Sequence, residues 1–215
     1  FKYYLVGGQV RDQLLGLPSQ DCDYVVLETS ADELKKLGFR SVGKHFPVFL
    51  HPTTNDEYAL ARTEKKIGQG HQAFEFNFSP VVTLKEDLYR RDFTVNAMCM
   101  DHLGNIIDFY NGQNDLKNKV LRHISEHFSE DPLRILRGAK FCARLGFTIA
   151  PETIDLMKNM VARKELEQLS IERVREEFSD ALLSGNFGDF VKVLTEIGAW
   201  KTYERFWVKH KGDFE

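Results

Sequence analysis

The sequence is poor in several things, and each shortage excludes a class of protein. Three cysteines in 215 residues (Cys22, Cys99 and Cys142) are odd in number and lack C-x-x-C spacing. They leave no basis for a disulfide framework and are expected to be free thiols in a reducing cytoplasm. No apolar run approaches the length that spans a bilayer, and no signal-peptide pattern opens the chain. There is no internal repeat and no low-complexity tract. Nor is there an excess of positive charge: 29 Lys and Arg against 32 Asp and Glu give a net charge of −3, so any contact with nucleic acid must come from local basic surface. The first residue is Phe1 and not Met, and the expectation is a trimmed start. What remains is the composition of an ordinary soluble protein, 42% apolar and 28% charged, long enough for one good-sized domain or two small ones.

The stretch from Gly7 to Asp23 organises the rest. Tyr3 to Val6 is apolar and rich in strand formers, and it runs into Gly7-Gly8, where the missing Cβ lets backbone N–H groups approach a phosphate. A short helix is expected over about Gln9 to Leu15, stopped by Gly16 with Pro18 just beyond. Arg11 falls in its first turn, where the helix dipole and a guanidinium act together on an anion. Asp21 and Asp23 then enter a second strand, Tyr24 to Leu27. Residues i and i+2 of a strand share a face, so the two carboxylates point the same way and call for a cation between them. With oxygen-only ligands, Mg²⁺ is the natural choice. A phosphate cradle followed by a two-carboxylate metal site reads as nucleotidyl transfer.

Gly-Gly, then Val-Arg-Asp, then Leu-Leu-Gly, then Asp-x-Asp at this spacing resembles the head-domain motif of the class II nucleotidyltransferases. These include the bacterial tRNA CCA-adding enzymes and bacterial poly(A) polymerases. The fold class this implies is α+β: a polymerase-β-like head of mixed sheet and helices over residues 1–123, then an all-helical neck and body over 124–215. Within the head, Ser30 to Leu37 reads as a helix with Ser30 as N-cap and Gly38 as stop. Val42 to His51 and Glu57 to Arg62 alternate like strands across the turn Pro52-Thr-Thr-Asn55. Glu57 matches a comparable acidic residue on the neighbouring strand of related enzymes and is the candidate third metal carboxylate. A solvated Glu on a strand edge is the other reading.

Thr63 to Pro80, with Lys65, Lys66, Gly68, Gly70 and His71, has no clean period and reads as a flexible basic loop followed by Phe74, Phe76 and Phe78 at period two. Those rings are core-forming more often than RNA-stacking. The stretch Asp87 to Met98 places Arg90, Arg91 and Asp92 before an expected helix. Considered alone this is a charged helix start. Arg-Arg-Asp-Phe-Thr-Val-Asn-Ala, however, resembles the family's second motif, which implies ribose and phosphate binding by Arg91 and Asp92, with Asn96 nearby. Ile106 to Asp108 followed by Asn111-Gly112 and Asp115-Leu116 reads as a strand and a turn that close the head, similar to a hinge segment of the related enzymes. His123 and His127 have no third ligand close by and read as surface histidines.

The second anchor runs from Glu130 to Phe147. Pro132 suits a first helical position and Gly146 an end. Arg134, Arg137, Lys140 and Arg144 recur three or four apart as one basic stripe, with Leu133, Leu136 and Phe141 available for the buried side. Such a stripe is usually a solvated face. Glu-Asp-x-x-Arg resembles the family's nucleotide-selecting motif, which implies that Asp131 and Arg134 read the base, with Arg137 and Lys140 further along toward base or phosphates. Many relatives have Arg where Lys140 stands, and Lys lacks the planar fork.

The chemistry suits that pair. Adenine (N6, N1) and cytosine (N4, N3) both present an amino donor beside a ring acceptor, so a carboxylate and a guanidinium satisfy either one. Guanine and uracil reverse both roles, and each mismatch costs about 1–3 kcal/mol for an unpaired buried group.

From Pro151 the chain reads as helical, with Ile154, Met157 and Val161 on one face, Ser170 as a cap and Gly185 as a stop. After the stretch Trp200 to Lys211 it ends at Glu215, either truncated or unusually compact. The resemblance thus implies a Mg²⁺-dependent cytoplasmic enzyme that adds C, C and A to tRNA from CTP and ATP. A poly(A) polymerase and a non-catalytic tRNA- or nucleotide-binding module are the alternatives. The oligomeric state is left open.

Overall fold

The computed structural model describes residues 1–18, 22–42, 47–66, 74–210 and 212, apart from the side chains of 65, 66 and 74. It is α+β, and the chain forms two compact units, one of them Phe1–Gly68 with Phe74–Leu116 and the other reached from Lys117 onward.

The first unit is built on a seven-stranded sheet. Its strands are β1 (Lys2–Val6), β2 (Asp23–Leu27), β3 (Arg40–Val42), β4 (Val48–Leu50) and β5 (Glu57–Leu60), then β8 (Met98–Met100) and β9 (Ile106–Asp108), in the order β3-β4-β5-β2-β1-β8-β9. The sheet is mixed: β2 and β5 run parallel, and the other neighbours are antiparallel. That one parallel pairing sets Asp23 opposite Glu57. Between strands come α1 (Gly8–Leu14), α2 (Ala31–Lys36) and α3 (Leu84–Tyr89). The expected cap of α2 is present, with Ser30 and Glu33 forming a reciprocal capping box, and Gly38 at φ +89° ends the turn. Val26, Leu34, Phe39, Phe49, Tyr58 and Leu60 pack into one buried cluster of this unit. Cutting Phe49 to Ala there costs about 3–5 kcal/mol.

Four local expectations are corrected. Val42 to His51 is not one strand: β3 and β4 pair antiparallel, Arg40 opposite Leu50, so the chain reverses between them. The flanks of the expected loop form a hairpin of β6 (Thr63–Lys66) and β7 (Phe74–Asn77), with Glu64 opposite Phe76, while Gly68, Gly70 and His71 lie outside the described residues. The Arg90-Arg91-Asp92 run ends helix α3 and does not begin one. Thr83 and Glu86 form the capping box that starts α3, and after Asp92 the chain passes through a short 3-10 turn (Thr94–Asn96) into β8, which pairs with β1. The segment after Asp108 is helix α4 (Gly112–Asn118) and not a turn, because the Asp108 carboxylate accepts from the N–H groups of Gly112 and Gln113 at 2.9 and 2.8 Å.

The second unit is helical apart from the short parallel pair β10 (Val120–Leu121) and β11 (Thr148–Ile149). It holds α5 (Leu133–Leu145), α6 (Pro151–Ala162), α7 (Ile171–Leu183), α8 (Phe187–Glu196) and α9 (Trp200–His210). Gly146 at φ +66° ends α5, Ser170 accepts from the Arg173 N–H to cap α7, and Gly185 follows α7 at φ +79°. Helix α5 packs against both α7 and α8, which is why its small residues Gly138, Ala139 and Ala143 are buried with Leu136. His123 and His127 are half-buried rather than on the surface: His123 Nδ1 lies 2.7 Å from the Thr153 hydroxyl, and His127 faces Glu130.

Candidate active site

At the end of β1 the backbone reaches Gly7 with φ +75°, a conformation that favours glycine. A Cβ on Gly7 would stand 3.0 Å from Arg91 Nη1, and one on Gly8 3.4 Å from Arg11 Nη2. Two guanidiniums therefore lie against the glycine turn, one from α1 and one from the end of α3. Arg11 is 2% exposed. Its Nε donates to Asp12 at 2.7 Å and its Nη1 to Asn96 Oδ1 at 2.6 Å. Asn96 Nδ2 in turn donates to Asp92 Oδ1 at 3.0 Å, and the same oxygen accepts from the Phe93 N–H. Gly8, Arg11, Asn96 and Asp92 thus form one connected set, although 85 residues of chain separate Arg11 from Asn96.

Beside it is a cavity of about 270 Å³ lined by Asp23, Glu57, Arg62, Asp87, Arg90 and Arg91 among others. Asp23 and Glu57 are exposed and in register on adjacent parallel strands, which sit about 4.8 Å apart. Asp21 lies outside the described residues, and among the described residues no three His, Cys, Asp or Glu side chains cluster as a metal site.

Three residues of this site, Arg62, Glu64 and Asp87, were not singled out from the sequence. Arg62 and Arg90 each donate to Glu64 Oε1 at 2.9 Å. Arg90 also forks onto Asp87 Oδ1, with its shorter contact at 2.8 Å, while Arg91 Nη2 reaches Asp87 Oδ2 at 3.4 Å. Burial pushes the Asp87 carboxyl up, but the Arg90 and Arg91 guanidiniums outweigh it and hold the group below its ordinary value. For Arg90, burial acts downward and is outweighed by Asp87 and Glu64. The available signals were the i, i+3 spacing of Asp87 and Arg90 on a helix and the i, i+2 spacing of Arg62 and Glu64 on a strand.

The other expected site residues belong to the helical unit. Asp131 stands just before α5, where Oδ1 accepts from the Leu133 N–H at 3.1 Å and Oδ2 pairs with Arg173 of α7 at 2.8 Å. Arg134 donates to the His127 carbonyl at 2.7 Å, and the Arg137 guanidinium lies 5.4 Å from the centre of the Phe141 ring. Lys140 is buried, its ammonium 2.6 Å from Glu177 and 3.0 Å from Asp180. The basic residues of α5 are therefore not one uniform stripe: Lys140 turns toward α7, whereas Arg144 is exposed.

A glycine turn against two guanidiniums thus stands beside a cavity walled by paired carboxylates, and comparison with known proteins gives the family. The chain belongs to the poly A polymerase head-domain family, whose model matches residues 3–122. A second model, described as a probable RNA and SrmB binding site of polymerase A, matches residues 146–203. The multifunctional CCA proteins of Vibrio vulnificus (strain YJ016) and Acinetobacter baumannii (strain AYE) are each 54% identical to it. Those matches run over 199 and 201 residues, or 91% and 92% of this chain, and 49% of each relative. Among solved structures, the Bacillus stearothermophilus CCA-adding enzyme in complex with CTP matches with a TM-score of 0.76 and 32% identity, covering 92% of this chain and 48% of that one. The Thermotoga maritima CCA-adding enzyme complexed with tRNA matches at 0.72 and 30%, covering 92% and 47%. The chain spans about half the length of the curated relatives it matches.

Proposed function

We propose that this chain carries the catalytic head and helical neck of a tRNA nucleotidyltransferase. Its reaction is the template-independent addition of C, C and A to the 3′ end of tRNA from CTP and ATP. The terminal 3′-hydroxyl attacks the α-phosphorus in line, and pyrophosphate leaves. The observation that carries this reading is the shared cavity: the Asp23 and Glu57 carboxylates and the Arg91 guanidinium line one space, and Arg91 also touches the glycine turn. A carboxylate pair suits a metal-bound hydroxyl, and a guanidinium against exposed backbone suits a polyphosphate. The relatives named as CCA proteins favour CCA addition over poly(A) synthesis.

The proposed division of labour follows the sequence, with the head over residues 1–123 and the neck and body over 124–215. Gly8 and Arg11, with Arg91, hold the triphosphate; Asp92, fixed by Asn96, takes the ribose. Asp131 and Arg134 read the amino donor and ring acceptor shared by cytosine and adenine, with Arg137 beside them. Lys140 sets α5 against α7 through Glu177. The exposed Asp23 and Glu57 carboxylates offer hard oxygen donors only, a set that fits Mg²⁺, and with Asp21 they are the residues that would hold it. When bound, such an ion lowers the pKa of the attacking hydroxyl and neutralises charge on the leaving group. No helix among the described residues is long and apolar enough to cross a membrane, and a cytoplasmic setting accords with the three free cysteines.

The test supplies tRNAs ending before CCA, after C and after CC, with Mg²⁺ and each of ATP, CTP, GTP and UTP singly and in pairs. Ordered addition that stops after A, and is lost in Asp21→Ala and Asp23→Ala, supports the proposal. Unlimited A addition makes the chain a poly(A) polymerase. Binding of tRNA or nucleotide without incorporation makes it a binding module.

A further inference from the structure

Two carboxylates inside the head, Glu64 and Asp87, organise the guanidiniums that line the candidate site. Glu64 (side chain 14% exposed) and Asp87 (1%) stand among Arg62, Arg90 and Arg91. Glu64 takes Arg62 and Arg90, and Asp87 takes Arg90 and Arg91, so Arg90 bridges the two acids. The Arg62 backbone N–H also donates to Asp87 at 3.1 Å. All three guanidiniums line the 270 Å³ cavity. Arg91 Nε is buried and makes no hydrogen bond among the described residues. Its far end lies over Gly7. The chain of contacts therefore runs from strand β6 through Glu64, Arg90, Asp87 and Arg91 to the glycine turn.

We propose that Glu64 is a positioning residue for the triphosphate: it holds Arg90 on Asp87, and Asp87 in turn aims Arg91 at the Gly7 turn. The proposal rests on the nucleotidyltransferase reading above and adds to it a residue outside the expected site. A neutral side chain at Glu64 leaves Arg90 with one carboxylate instead of two, and Arg90 then competes with Arg91 for Asp87. The position of Arg91 loosens, and phosphate affinity falls while the base-reading residues of the helical unit are untouched.

The experiment uses the full chain and two probes, inorganic tripolyphosphate by calorimetry and steady-state incorporation from CTP and from ATP. Glu64→Gln keeps size and shape and removes the charge. Arg90→Lys, the second variant, keeps the charge and loses the fork. Both are expected to weaken tripolyphosphate binding and to raise KM for CTP and ATP by the same factor, about tenfold or more for the loss of one charge-assisted hydrogen bond. The preference for C and A over G and U, and kcat, stay near the starting values. Unchanged tripolyphosphate affinity in both variants, a fall in kcat alone, or an unaltered chain that binds no tripolyphosphate would overturn the proposal. An unaltered chain that binds tripolyphosphate, loses that binding in Glu64→Gln, and incorporates no nucleotide would sink the functional reading and leave this one standing.

Discussion

Arg11 Nη1 donates to Asn96 Oδ1 at 2.6 Å, a buried contact that joins the helix after the glycine turn to the turn after Asp92. Arg11 is almost wholly enclosed, and Asp12 and Asn96 help to offset the cost of burying its charge. Asn96→Ala removes one acceptor from a buried guanidinium and one donor from Asp92 at the same time. The expected loss is about 1–3 kcal/mol of stability for each group left unsatisfied. Denaturant unfolding of the single variants and of the Arg11→Ala, Asn96→Ala pair checks it. A coupling energy near zero in that double-mutant cycle contradicts the network.

Gly112 stands where nothing larger fits. A Cβ there would lie 2.3 Å from the Thr94 carbonyl oxygen and 2.9 Å from Met98 Cγ, and the nearer atom is backbone. Gly112→Ala must therefore separate α4 from the 3-10 turn behind Asp92, at a cost of about 1–3 kcal/mol or more. Gly188, in the first turn of α8, is the control: a Cβ there meets nothing within 4 Å. Gly188→Ala should be neutral or stabilising by about 0.5–1 kcal/mol through helix propensity. Thermal unfolding of the two variants should give shifts of opposite sign or of very different size.

The fold was legible where local chemistry and packing agree. Ser30, Gly38, Gly146 and Ser170 were read as caps and stops, and each one is where the structure uses it. The reading failed where a long-range contact overrides local pattern. Arg90 to Asp92 look like a helix start, but β1 recruits the following residues into strand β8. The segment after Asp108 looks like a turn, but the two Asp108 oxygens start a helix there. Within the candidate site, Asp23 was named from its i, i+2 spacing to Asp21, and Glu57 and Arg91 from the resemblance to related enzymes. Asp87 pairs with Arg90 and Arg91 three and four residues on, a local signal that was passed over, whereas Glu64 was missed because its partner Arg90 is 26 residues away. The Arg173 partner of Asp131, 42 residues away, was invisible for the same reason.

Asp87 makes the stability of the head depend on acid. Burial opposes ionisation, but Arg90 and Arg91 prevail and the folded group titrates below its ordinary value of 3.8. A depressed carboxylate contributes stability that is complete above the unfolded value and is lost as pH falls through the folded one. Asp87→Asn should be less stable than the parent at neutral pH by about 3–5 kcal/mol, the cost of breaking a buried pair. That gap should narrow progressively below pH 3.8. Urea unfolding at pH 7 and across the acid range provides the comparison, and a gap that stays constant down to the lowest pH would count against the assignment.

The cysteines divide by environment. Burial pushes the Cys99 and Cys142 thiols up to about 12, whereas Cys22 is only partly buried. At pH 8 a thiol with a pKa of about 12 is thiolate in only about one molecule in ten thousand, and the thiolate is the nucleophile. An aromatic disulfide reagent should therefore label one thiol per folded chain, at Cys22, and three in denaturant. Rapid labelling of two or more thiols in the folded protein would contradict the burial of Cys99 or Cys142.

The sharpest functional prediction concerns Asp131. Its Oδ1 holds the first turn of α5 and its Oδ2 holds Arg173, so the carboxylate is oriented before any nucleotide arrives. A carboxylate accepts from an amino group and repels a carbonyl oxygen, which is how one group favours cytosine and adenine and rejects uracil and guanine at once. Asp131→Ala should lower kcat/KM for CTP and ATP about 10- to 100-fold, corresponding to about 1–3 kcal/mol for an unmade hydrogen bond. UTP and GTP should lose far less, so selectivity collapses toward unity while tripolyphosphate affinity holds. Arg173→Ala should produce a smaller version of the same change, because it frees the carboxylate without removing it. Single-nucleotide incorporation on tRNA ending in CC measures both. Equal losses for all four nucleotides in Asp131→Ala would mean that this residue supports the helix and does not read the base.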